Sequence, residues 1–594
     1  MRTLRDLPSR QIDSFFIPTE RKSSLRSQAY PSSNKSSSRS SSVVCTDSDT
    51  ITYQKQSSSR KRDSRKVFDE DSDESELEIY TSPTKRAKAN KVRLSYPSPT
   101  SEKDGSLKAA SVEVEAMPGT GLLNLPLEVH QNIIDHLPSD KDLTHYGEVC
   151  KALRSCLAPI VWQKRFLRVF DNIPDASPVI LQALYKRRQG IAKTFISFDD
   201  DVPADRNARR VCLEMIRDII IESDAAIIMD EDNNETVSGH NHRFFIKYFH
   251  YVTEDGQLQG TDLLESYAGT MFNTTPKKKP IGLEAFAMVV KLCFAHLLLH
   301  PDIFNIRSSI FMASQEHVYK CLTEAPLFTG RNKHEINFPW LLHVVNFFKF
   351  HLKTPDGEGI LAHMYQQLEK SELPTAWTGK IKGGTQKLGP HWKGAFTFLR
   401  EEDLELFRLA QHHENLVDET TDGNNGFQDL TLFSDLKSTP QLACPPVMDD
   451  WLKGSPSGEY KDKISGERVM PQVQDFFGLG RSDGDYHLHG RVYGLPPQHG
   501  IPGFQRVSML KYLPCVDGLY GTGRTSFWAY EGVVLPGGHI MLGRWWSPTG
   551  PMDRGRTYCG PFIFWRVSGS PEDRMRTTDD AAAFLDHVVK RTVG

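Results

Sequence analysis

Residues 518–525, GLYGTGRT, nearly match the phosphate-binding loop GxxxxGK[ST] of nucleotide-binding proteins. The lysine that such a loop uses to contact phosphate is replaced here by Arg524. A working loop also opens a helix whose N-terminal amide groups face the phosphate, whereas the aromatic run 527–530 that follows favours a strand. We therefore interpret 518–525 as a hairpin turn and predict no nucleotide cofactor.

Three groups of histidines have spacings that metal sites use. They are His296 with His300, His487 with His489, and His412-His413-Glu414. The first pair would share one face of a helix and the second one face of a strand, but no third ligand is evident for any group. The sequence also lacks a GxSxG elbow or a Cys/His pair at a supporting spacing. We predict core histidines, no metal, no cofactor and no catalytic residue.

The cysteines and the apolar stretches indicate the compartment. Nine scattered cysteines without a CxxC pair predict free thiols in a reducing environment. No apolar run follows the basic amino terminus, so we expect no secretory signal. The most apolar stretch, 281–300, carries Glu284, Lys291 and His296, which are costly in lipid, so it predicts a buried soluble helix and no membrane contact.

Length and charge limit the organisation that must position these groups. The 594 residues are too many for one core, and a net charge of -3 gives no electrostatic argument for direct nucleic-acid binding. Hydrophobic residues make up only 38% of the chain. Residues 1–117 are rich in serine and show no helical or strand period, so they predict a disordered tail. The overall prediction is an α+β multidomain protein with this tail at its amino terminus.

Helical periodicity begins at Gly121 and continues to about residue 375. A three-helix unit is predicted over 121–168 and a helical body over 175–375. The strongest helical segments in the body are 181–195, 211–221, 283–299 and 340–352. Each places apolar residues three and four positions apart, which is enough for a packed helical body.

The remaining chain, 385–570, predicts an antiparallel β domain, either a barrel or a sandwich. Short apolar runs separated by turn residues predict strands at 392–398, 487–495, 504–513, 526–535, 539–546 and 559–567. Pro536-Gly537-Gly538 has the composition of a tight hairpin turn. We expect a long irregular insertion at about 414–485 and a closing helix at 577–592.

The segment 124–166 carries the most informative pattern in the chain. Pro126 lies in a predicted first helical turn, and Leu125, Val129, Ile133 and Leu137 recur every four residues. Pro138 ends this helix. Ser139 then caps a second helix with Asp142 three residues later, and a third helix begins at Pro159 and carries Trp162. These apolar faces exceed what so small a core needs, which implies a partner surface on the following helices or on another protein.

This segment resembles an F-box. The resemblance implies binding to the Skp-family adaptor, which links an F-box protein to a cullin and a RING subunit. Carried over by position, the adaptor-binding residues would be Leu125, Pro126, Glu128, Val129, Ile133, Ile134, Leu137, Pro138, Leu143, Val149, Cys150, Leu153 and Trp162. The alternative is a helical cap for the next domain.

The carboxyl-terminal half resembles, more loosely, a group of fungal F-box proteins. The shared runs include 501–506, 530–532, 535–538, 543–546 and 560–565. Some animal F-box receptors have a comparable β-barrel after the F-box, which holds a short terminal peptide of the substrate. The resemblance implies the barrel architecture for this chain, without a peptide specificity. Arg544, Trp545 and Trp546 are a candidate substrate pocket, because aromatic residues and arginine dominate binding hot spots. A structural cation–π contact of Arg544 is the alternative.

The tail contains a motif that resembles the one that docks the PCNA sliding clamp. Ile12, Phe15 and Phe16 stand at positions i, i+3 and i+4, so one helical turn would present all three. The motif departs from the pattern at its head, where Ser9 replaces the usual glutamine. Another short-motif role, or none, remains open.

Two basic clusters in the tail suit nuclear import: Lys61-Arg62 and Lys85-Arg86-Ala87-Lys88. Ser82 precedes Pro83 and Lys85, which matches a cyclin-dependent kinase site whose phosphate would offset the positive charge. We expect a nuclear protein, with the cytoplasm as the alternative location and a solvated charged tail as the alternative role of these clusters.

Three hypotheses for function follow. The first is a non-catalytic substrate-recognition subunit of a Skp–cullin–F-box ubiquitin ligase that recruits an unidentified protein for degradation. The second is a scaffold that binds the adaptor without ubiquitin ligation. The third is a barrel that holds a small molecule or performs a hydrolysis, which needs a closed cavity with convergent polar groups.

Overall fold

A computed structural model describes sixteen segments of the chain: 121–199, 205–229, 235–252, 256–266, 282–302, 308–319, 327–330, 334–354, 359–409, 419–421, 426–434, 459–461, 468–481, 485–512, 527–547 and 558–568. Every described residue lies in one unit of the chain, Gly119–Gly594. The predicted tail with its three motifs, the loop at 518–525, His412-His413-Glu414 and the helix at 577–592 lie outside the described residues.

The amino-terminal part of this unit is helical, as predicted. After a short 3-10 turn at Leu122–Asn124, the helices are α1 Leu127–His136, α2 Asp140–Glu148, α3 Lys151–Ser155, α4 Pro159–Val169, α5 Pro178–Ala192 and α6 Arg206–Glu222. A two-stranded hairpin, β1 Ala226–Met229 and β2 Glu235–Ser238, leads into α7 His240–Phe249. Pro159 and Pro178 each begin a helix, where the missing proline N–H costs nothing.

The helical body continues as α8 Leu283–Cys293, α9 Ala295–Leu299, α10 Ser308–Val318, α11 Phe338–Lys353 and α12 Ala362–Gln366, with a small hairpin of β3 Phe328–Thr329 and β4 Glu335–Ile336. Asn337 caps α11 by accepting a hydrogen bond from the Trp340 amide at 3.2 Å. Nearly all of α11 is buried, so it is the central helix of the unit. No helix within the described residues is long and apolar enough to cross a membrane.

The helix predicted over 283–299 is interrupted at Phe294, which separates α8 from α9. The Phe294 ring contacts Phe245 and Phe249 of α7, with centroids 4.7 Å away in both cases, and Trp377 at 5.9 Å. The apolar period runs through this break without a signal, because residues on both sides of it are buried.

The carboxyl-terminal strands form a closed antiparallel barrel of eight strands. In spatial order these are β15 Cys559–Arg566, β14 Ile540–Trp546, β13 Phe527–Val534, β12 Gln505–Tyr512, β11 Asp485–Gly494, β10 Val473–Arg481, β7 Gln428–Phe433 and β5 His391–Phe398. Pairing between β15 and β5 closes the circle. The remaining described elements are α13 Glu401–Leu409, a short edge strand β6 Thr420–Thr421 beside β5, and the separate pair β8 Tyr460–Lys461 and β9 Arg468–Val469. The prediction of an antiparallel barrel-like domain is confirmed.

Alternation along the strands divides the barrel wall into two faces. Met541 and Phe562 belong to the core inside the barrel, whereas Leu542 and Ile563 belong to a larger core shared with the helices. Helix α11 packs against the outer face of β14 and β15. The barrel and the helical body therefore share one continuous core.

The prediction of an irregular insertion over 414–485 is wrong where strands lie within it, above all at β7 and β10 of the barrel. Gly478 and Gly480 made β10 look like turn sequence. A Cβ atom at Gly478 would lie 2.7 Å from the Leu488 side chain, and one at Gly480 would lie 1.9 Å from the Tyr486 ring. The glycines thus serve close packing within a strand.

The predicted hairpin at Pro536-Gly537-Gly538 connects β13 and β14. The Leu535 amide donates to the Ile540 carbonyl at 2.8 Å, and the Gly538 amide donates to the Leu535 carbonyl at 3.0 Å. Gly537 and Gly538 have φ values of 88° and 72°, a region that suits glycine.

Candidate functional site

The three helices predicted over 121–168 are four in the structure. The second predicted helix breaks at Val149 and Cys150, and Cys150 is extended with φ -161° and ψ 168°. The break turns α3 so that Leu153 and Cys156 face the core, while Val149 remains 72% exposed. Sequence periodicity did not show the break, because apolar residues continue at helical spacing across it.

Local hydrogen bonds fix the ends of α1 and α2. The predicted capping box is present: the Asp142 amide donates to Ser139 Oγ at 3.1 Å, and the Ser139 amide donates to Asp142 Oδ2 at 3.3 Å. These bonds from Ser139 lower the pKa of the Asp142 carboxyl. Pro126 lies one position before α1, and its carbonyl accepts from the amides of Val129 and His130 at 3.0 and 3.2 Å.

Four of the thirteen predicted adaptor contacts are buried inside the chain: Ile134, Leu143, Leu153 and Trp162. Trp162 lies beside Tyr185 of α5, with ring centroids 6.0 Å apart, and Lys186 Nζ lies 4.4 Å from the tryptophan ring. These four residues of the F-box pattern therefore form the core of the four helices and their contact with α5. In this conformation their side chains do not form part of a surface that a partner contacts.

A polar centre at Asp140 joins α2, α4 and α5. Arg165 Nη1 donates to Asp140 Oδ1 at 3.0 Å, and the Tyr185 hydroxyl donates to the same carboxylate at 3.0 Å. Arg165 Nη2 also donates to the carbonyl of Leu137 at 2.8 Å. Burial and the neighbouring Asp140 charge raise the pKa of Tyr185. The four helices are thus fixed to the helical body by charge-assisted bonds that the sequence did not reveal.

The four helices and the turn before them also expose large apolar side chains. Leu125, Val129 and Val149 are 37%, 38% and 72% exposed, and four further residues share this property. We call the full set the apolar surface: Leu122, Leu123, Leu125, Leu127, Val129, Val149 and Ile160. Of these, sequence analysis missed Leu122 and Leu123, which precede the helical pattern, and also Leu127 and Ile160.

The remaining predicted contact residues lie beside the apolar surface or in its margin. Pro126, Glu128 and Pro138 are exposed, and Ile133, Leu137 and Cys150 are half-buried. His130, at the centre of α1, is buried, and its Nδ1 lies 2.6 Å from the Tyr146 hydroxyl. This bond joins α1 to α2 behind the exposed side chains. An exposed cluster of large apolar residues on a firmly held scaffold indicates a protein-binding surface.

The candidate substrate pocket at Arg544, Trp545 and Trp546 is not a surface pocket. Strand alternation places Arg544 and Trp545 on opposite faces of the barrel wall. Arg544 is buried against α11, with its guanidinium carbon 5.3 Å from the Trp340 ring. Trp545 lies inside the barrel, where its Nε1 donates to the Thr397 carbonyl at 3.1 Å, and Trp546 is half-buried. Arg544 thus makes the structural cation–π contact that was the alternative interpretation.

The histidine pairs are buried to different degrees. His296 and His300 are half-buried. The His296 ring lies 5.9 Å from the Trp377 ring, and desolvation lowers the pKa of His296 well below the usual value. His487 and His489 are buried beside Phe477, with ring centroids 5.6 and 5.1 Å from it. Within the described part of the chain, no cluster of three or more His, Cys, Asp or Glu side chains is arranged to hold a metal ion.

Residues 122–168 match the family model of the F-box-like domain. This range contains α1 to α3, all of α4 except its last residue, the Ser139 capping box and the whole apolar surface. No curated protein and no solved structure matches the chain.

Proposed function

We propose that this chain, an F-box protein by its F-box-like domain at residues 122–168, is the substrate-recognition subunit of a Skp–cullin–F-box ubiquitin ligase. The observation that carries the proposal is the apolar surface on that domain. Seven large apolar side chains remain exposed there, although the same four helices bury Ile134, Leu143 and Trp162 completely or nearly so. A partner that covers these side chains gains the hydrophobic free energy that the chain itself leaves unused.

Such a subunit acts without catalytic residues of its own. It raises the effective concentration of a target lysine near the ubiquitin-loaded enzyme, and this gain depends on how firmly the target is held relative to the adaptor. The Asp140 centre and the core that continues from α4 through α11 to the barrel wall give the rigidity that this mechanism needs.

The proposal extends to the tail. Lys61-Arg62 and Lys85-Arg86-Ala87-Lys88 would carry the protein into the nucleus, and Ser82 phosphorylation would reduce the charge of the second cluster. Ile12, Phe15 and Phe16 would dock the PCNA sliding clamp. Each of these roles needs its own test by deletion of the motif.

The experiment is an adaptor-binding assay with the full chain. The double variant Leu125→Asp/Val129→Asp places two charges in the apolar surface, so we expect association with a purified Skp-family adaptor to fall at least tenfold, by roughly 1.4 kcal/mol or more. The matched control is Leu406→Asp, at an exposed leucine of α13. Equal adaptor binding by the double variant and the wild type would contradict the proposal.

The second candidate is a scaffold that binds the adaptor without ubiquitin ligation, because the apolar surface would serve both roles equally. Purification from cells separates the two by the presence or absence of the cullin and RING subunits. Comparative proteomics of cells with the wild type and with Leu125→Asp/Val129→Asp adds a second criterion. Proteins that accumulate only with the variant support substrate recruitment, and an unchanged proteome supports the scaffold.

A further inference from the structure

A cavity of about 130 Å³ lies at one end of the barrel, beside the β1–β2 hairpin. Ile227 and Val237, which face each other across the hairpin, line one side of it. Arg566 at the end of β15 and His539 just before β14 line the other side. The hairpin is held in place by a hydrogen bond from the Gly379 amide to the Ala225 carbonyl at 2.7 Å.

Arg566 brings an uncompensated positive charge to this cavity. Its guanidinium forms no ion pair and no side-chain hydrogen bond with any residue that the structure describes. Two carboxylates near the barrel strand β5 are paired with Lys393, whose Nζ lies 3.5 Å from Glu372 and 2.6 Å from Asp429. A half-buried arginine without an anionic partner is costly unless water or a ligand supplies one.

The position of Arg566 is sterically defined. A Cβ atom at Gly389 would lie 2.6 Å from Arg566 Nε and 2.7 Å from its Cδ, so the glycine provides the space in which this side chain lies. Only glycine leaves that space, although Gly389 does not have a positive φ. The absence of a side chain at Gly389 thus allows the Arg566 side chain to lie where it does.

The other polar groups of the cavity are neutral donors and acceptors. Thr375 Oγ1 lies 3.3 Å from His539 Nδ1, and the hydroxyls of Ser371 and Thr378 also line the space. Burial, and then the Arg566 charge, lower the pKa of His539 to about 3, so this histidine adds no second charge at neutral pH. One arginine among hydroxyl groups and a neutral imidazole is a suitable environment for a single anionic group.

We propose that this cavity binds the anionic group, a phosphoryl or a carboxylate, of a peptide segment in the recruited protein. The proposal rests on the function proposed above, since it names the chemistry by which a target is held. The cavity volume is close to that of an engineered cavity of about 150 Å³ that admits benzene, so one such group fits. Apolar residues on the adjoining hairpin, Ile227 and Met229 at 50% and 58% exposed, offer contacts for the flanking peptide residues.

The first experiment measures thermal unfolding of the full chain with inorganic phosphate or acetate, at ionic strength matched with sodium chloride. We expect at least one anion to raise the midpoint in a saturable way, because a ligand that binds only the folded state stabilises it. Arg566→Gln should weaken the apparent affinity at least about tenfold. The matched control is Arg400→Gln, at an exposed arginine that does not line the cavity. A response to phosphate alone assigns a phosphoryl group, and a response to acetate alone assigns a carboxylate.

A second variant tests position rather than charge. Gly389→Ala keeps Arg566 but displaces its side chain, so we expect the same loss of the anion response with an unchanged net charge. The proposal is overturned if neither anion shifts the midpoint, or if Arg566→Gln and Gly389→Ala respond as the wild type does. Midpoints without added anion show whether each variant is folded.

The peptide part of the proposal is tested with degenerate peptide libraries that carry phosphoserine, glutamate or serine at one fixed position. We expect the wild type to retain the phosphoserine or the glutamate library at least tenfold better than the serine library, and Arg566→Gln to lose this preference. Equal retention of all three contradicts peptide recognition. Adaptor association of Arg566→Gln is measured in parallel, and it should equal that of the wild type. A wild type that binds anions but not the adaptor would remove the proposed function and leave the cavity assignment standing.

Discussion

The F-box-like domain and the barrel differ in how many of their large apolar side chains are exposed. Between residues 122 and 160, seven large apolar side chains are exposed, whereas the described barrel strands expose only Val473. The barrel closes on itself, so each strand has two paired neighbours and its inner side chains fill the interior. The four small helices cannot close in this way. The barrel's apolar residues therefore maintain the fold, whereas seven of those in the first domain lie outside its core, as the proposed adaptor binding requires.

The largest expected effect lies at the barrel seam. Trp565 of β15 is fully buried, and its Nε1 donates to the Glu372 carbonyl at 2.7 Å. Trp565→Ala should lower the free energy of unfolding by about 3–5 kcal/mol, because it leaves a cavity and an unpaired carbonyl. Urea titration followed by tryptophan fluorescence and circular dichroism measures this loss. Val473→Ala, at the exposed strand residue, serves as the control with a change below about 0.5 kcal/mol. Similar losses of unfolding free energy for the two variants would contradict the view that the buried apolar residues of the barrel maintain its fold.

The second prediction concerns the joint between the F-box-like domain and the helical body. Asp140→Ala removes the carboxylate that Arg165 and Tyr185 share, and the Arg165 guanidinium is almost fully buried. We expect a loss of about 3 kcal/mol in unfolding free energy, since a buried charge is left without its partner. The control is Asp135→Ala, whose partner Lys164 is largely exposed, with a loss below about 1 kcal/mol. If Asp140→Ala proved as mild as the control, the F-box-like domain would not be held to the body by this centre.

Acid should weaken the contact between the helical body and the segment that leads into the barrel. Burial lowers the pKa of His242 to about 4, and neither ring nitrogen has a hydrogen-bond partner. Its ring packs edge-on against Trp377, with centroids 4.6 Å apart. Because the unfolded chain binds the proton near pH 6.5, this stabilisation is present above that pH and is lost as the pH falls towards 4.

At pH 4.5 the loss from His242 amounts to about 2 kcal/mol. His242→Phe should therefore remain folded at pH 7 and show a smaller decline in unfolding free energy between pH 6.5 and 4.5. Urea midpoints across this range measure the slope. His145→Phe, at an exposed histidine of α2, is the control and should keep the wild-type slope. An unchanged slope for His242→Phe would mean that other groups cause the acid sensitivity.

Sequence patterns predicted what local residue types determine. The six predicted strands were recognisable because turn residues bound each apolar run, and the capping box because Ser139 and Asp142 are three residues apart. Strand β10 was missed because Gly478 and Gly480, which accommodate Leu488 and Tyr486 from the next strand, also signal turns. Strand β7 was missed because Gly and Asp residues are frequent on both sides of it.

The division of the F-box pattern into buried and exposed residues could not be predicted from the sequence. Periodicity places Val129 and Ile133 on one stripe of α1, which Ile134 widens, and the packing of α4 against α1 decides that Ile134 is buried while Val129 is exposed. The cavity beside Arg566 could not be predicted from the sequence either. It brings together residues near 227, 375, 539 and 566, which the chain separates by up to several hundred positions.

The smallest expected change in stability lies within the F-box-like domain. It distinguishes a residue that stabilises a helix, Ser139, from a residue of the apolar surface, Leu125. Ser139→Ala removes the side chain that accepts from the Asp142 amide, and the loss should be about 1 kcal/mol in unfolding free energy. Leu125→Ala, at an exposed residue of the apolar surface, should change stability by less than about 0.5 kcal/mol. Adaptor binding should show the reverse order. Leu125→Ala removes contact area directly, whereas Ser139→Ala leaves the apolar surface intact whenever the domain is folded. Thermal unfolding and adaptor titration of both variants test whether Ser139→Ala loses more stability and Leu125→Ala loses more adaptor affinity. A Leu125→Ala variant that loses stability but not adaptor affinity would show that Leu125 serves the fold, as Ile134 does, and not a partner.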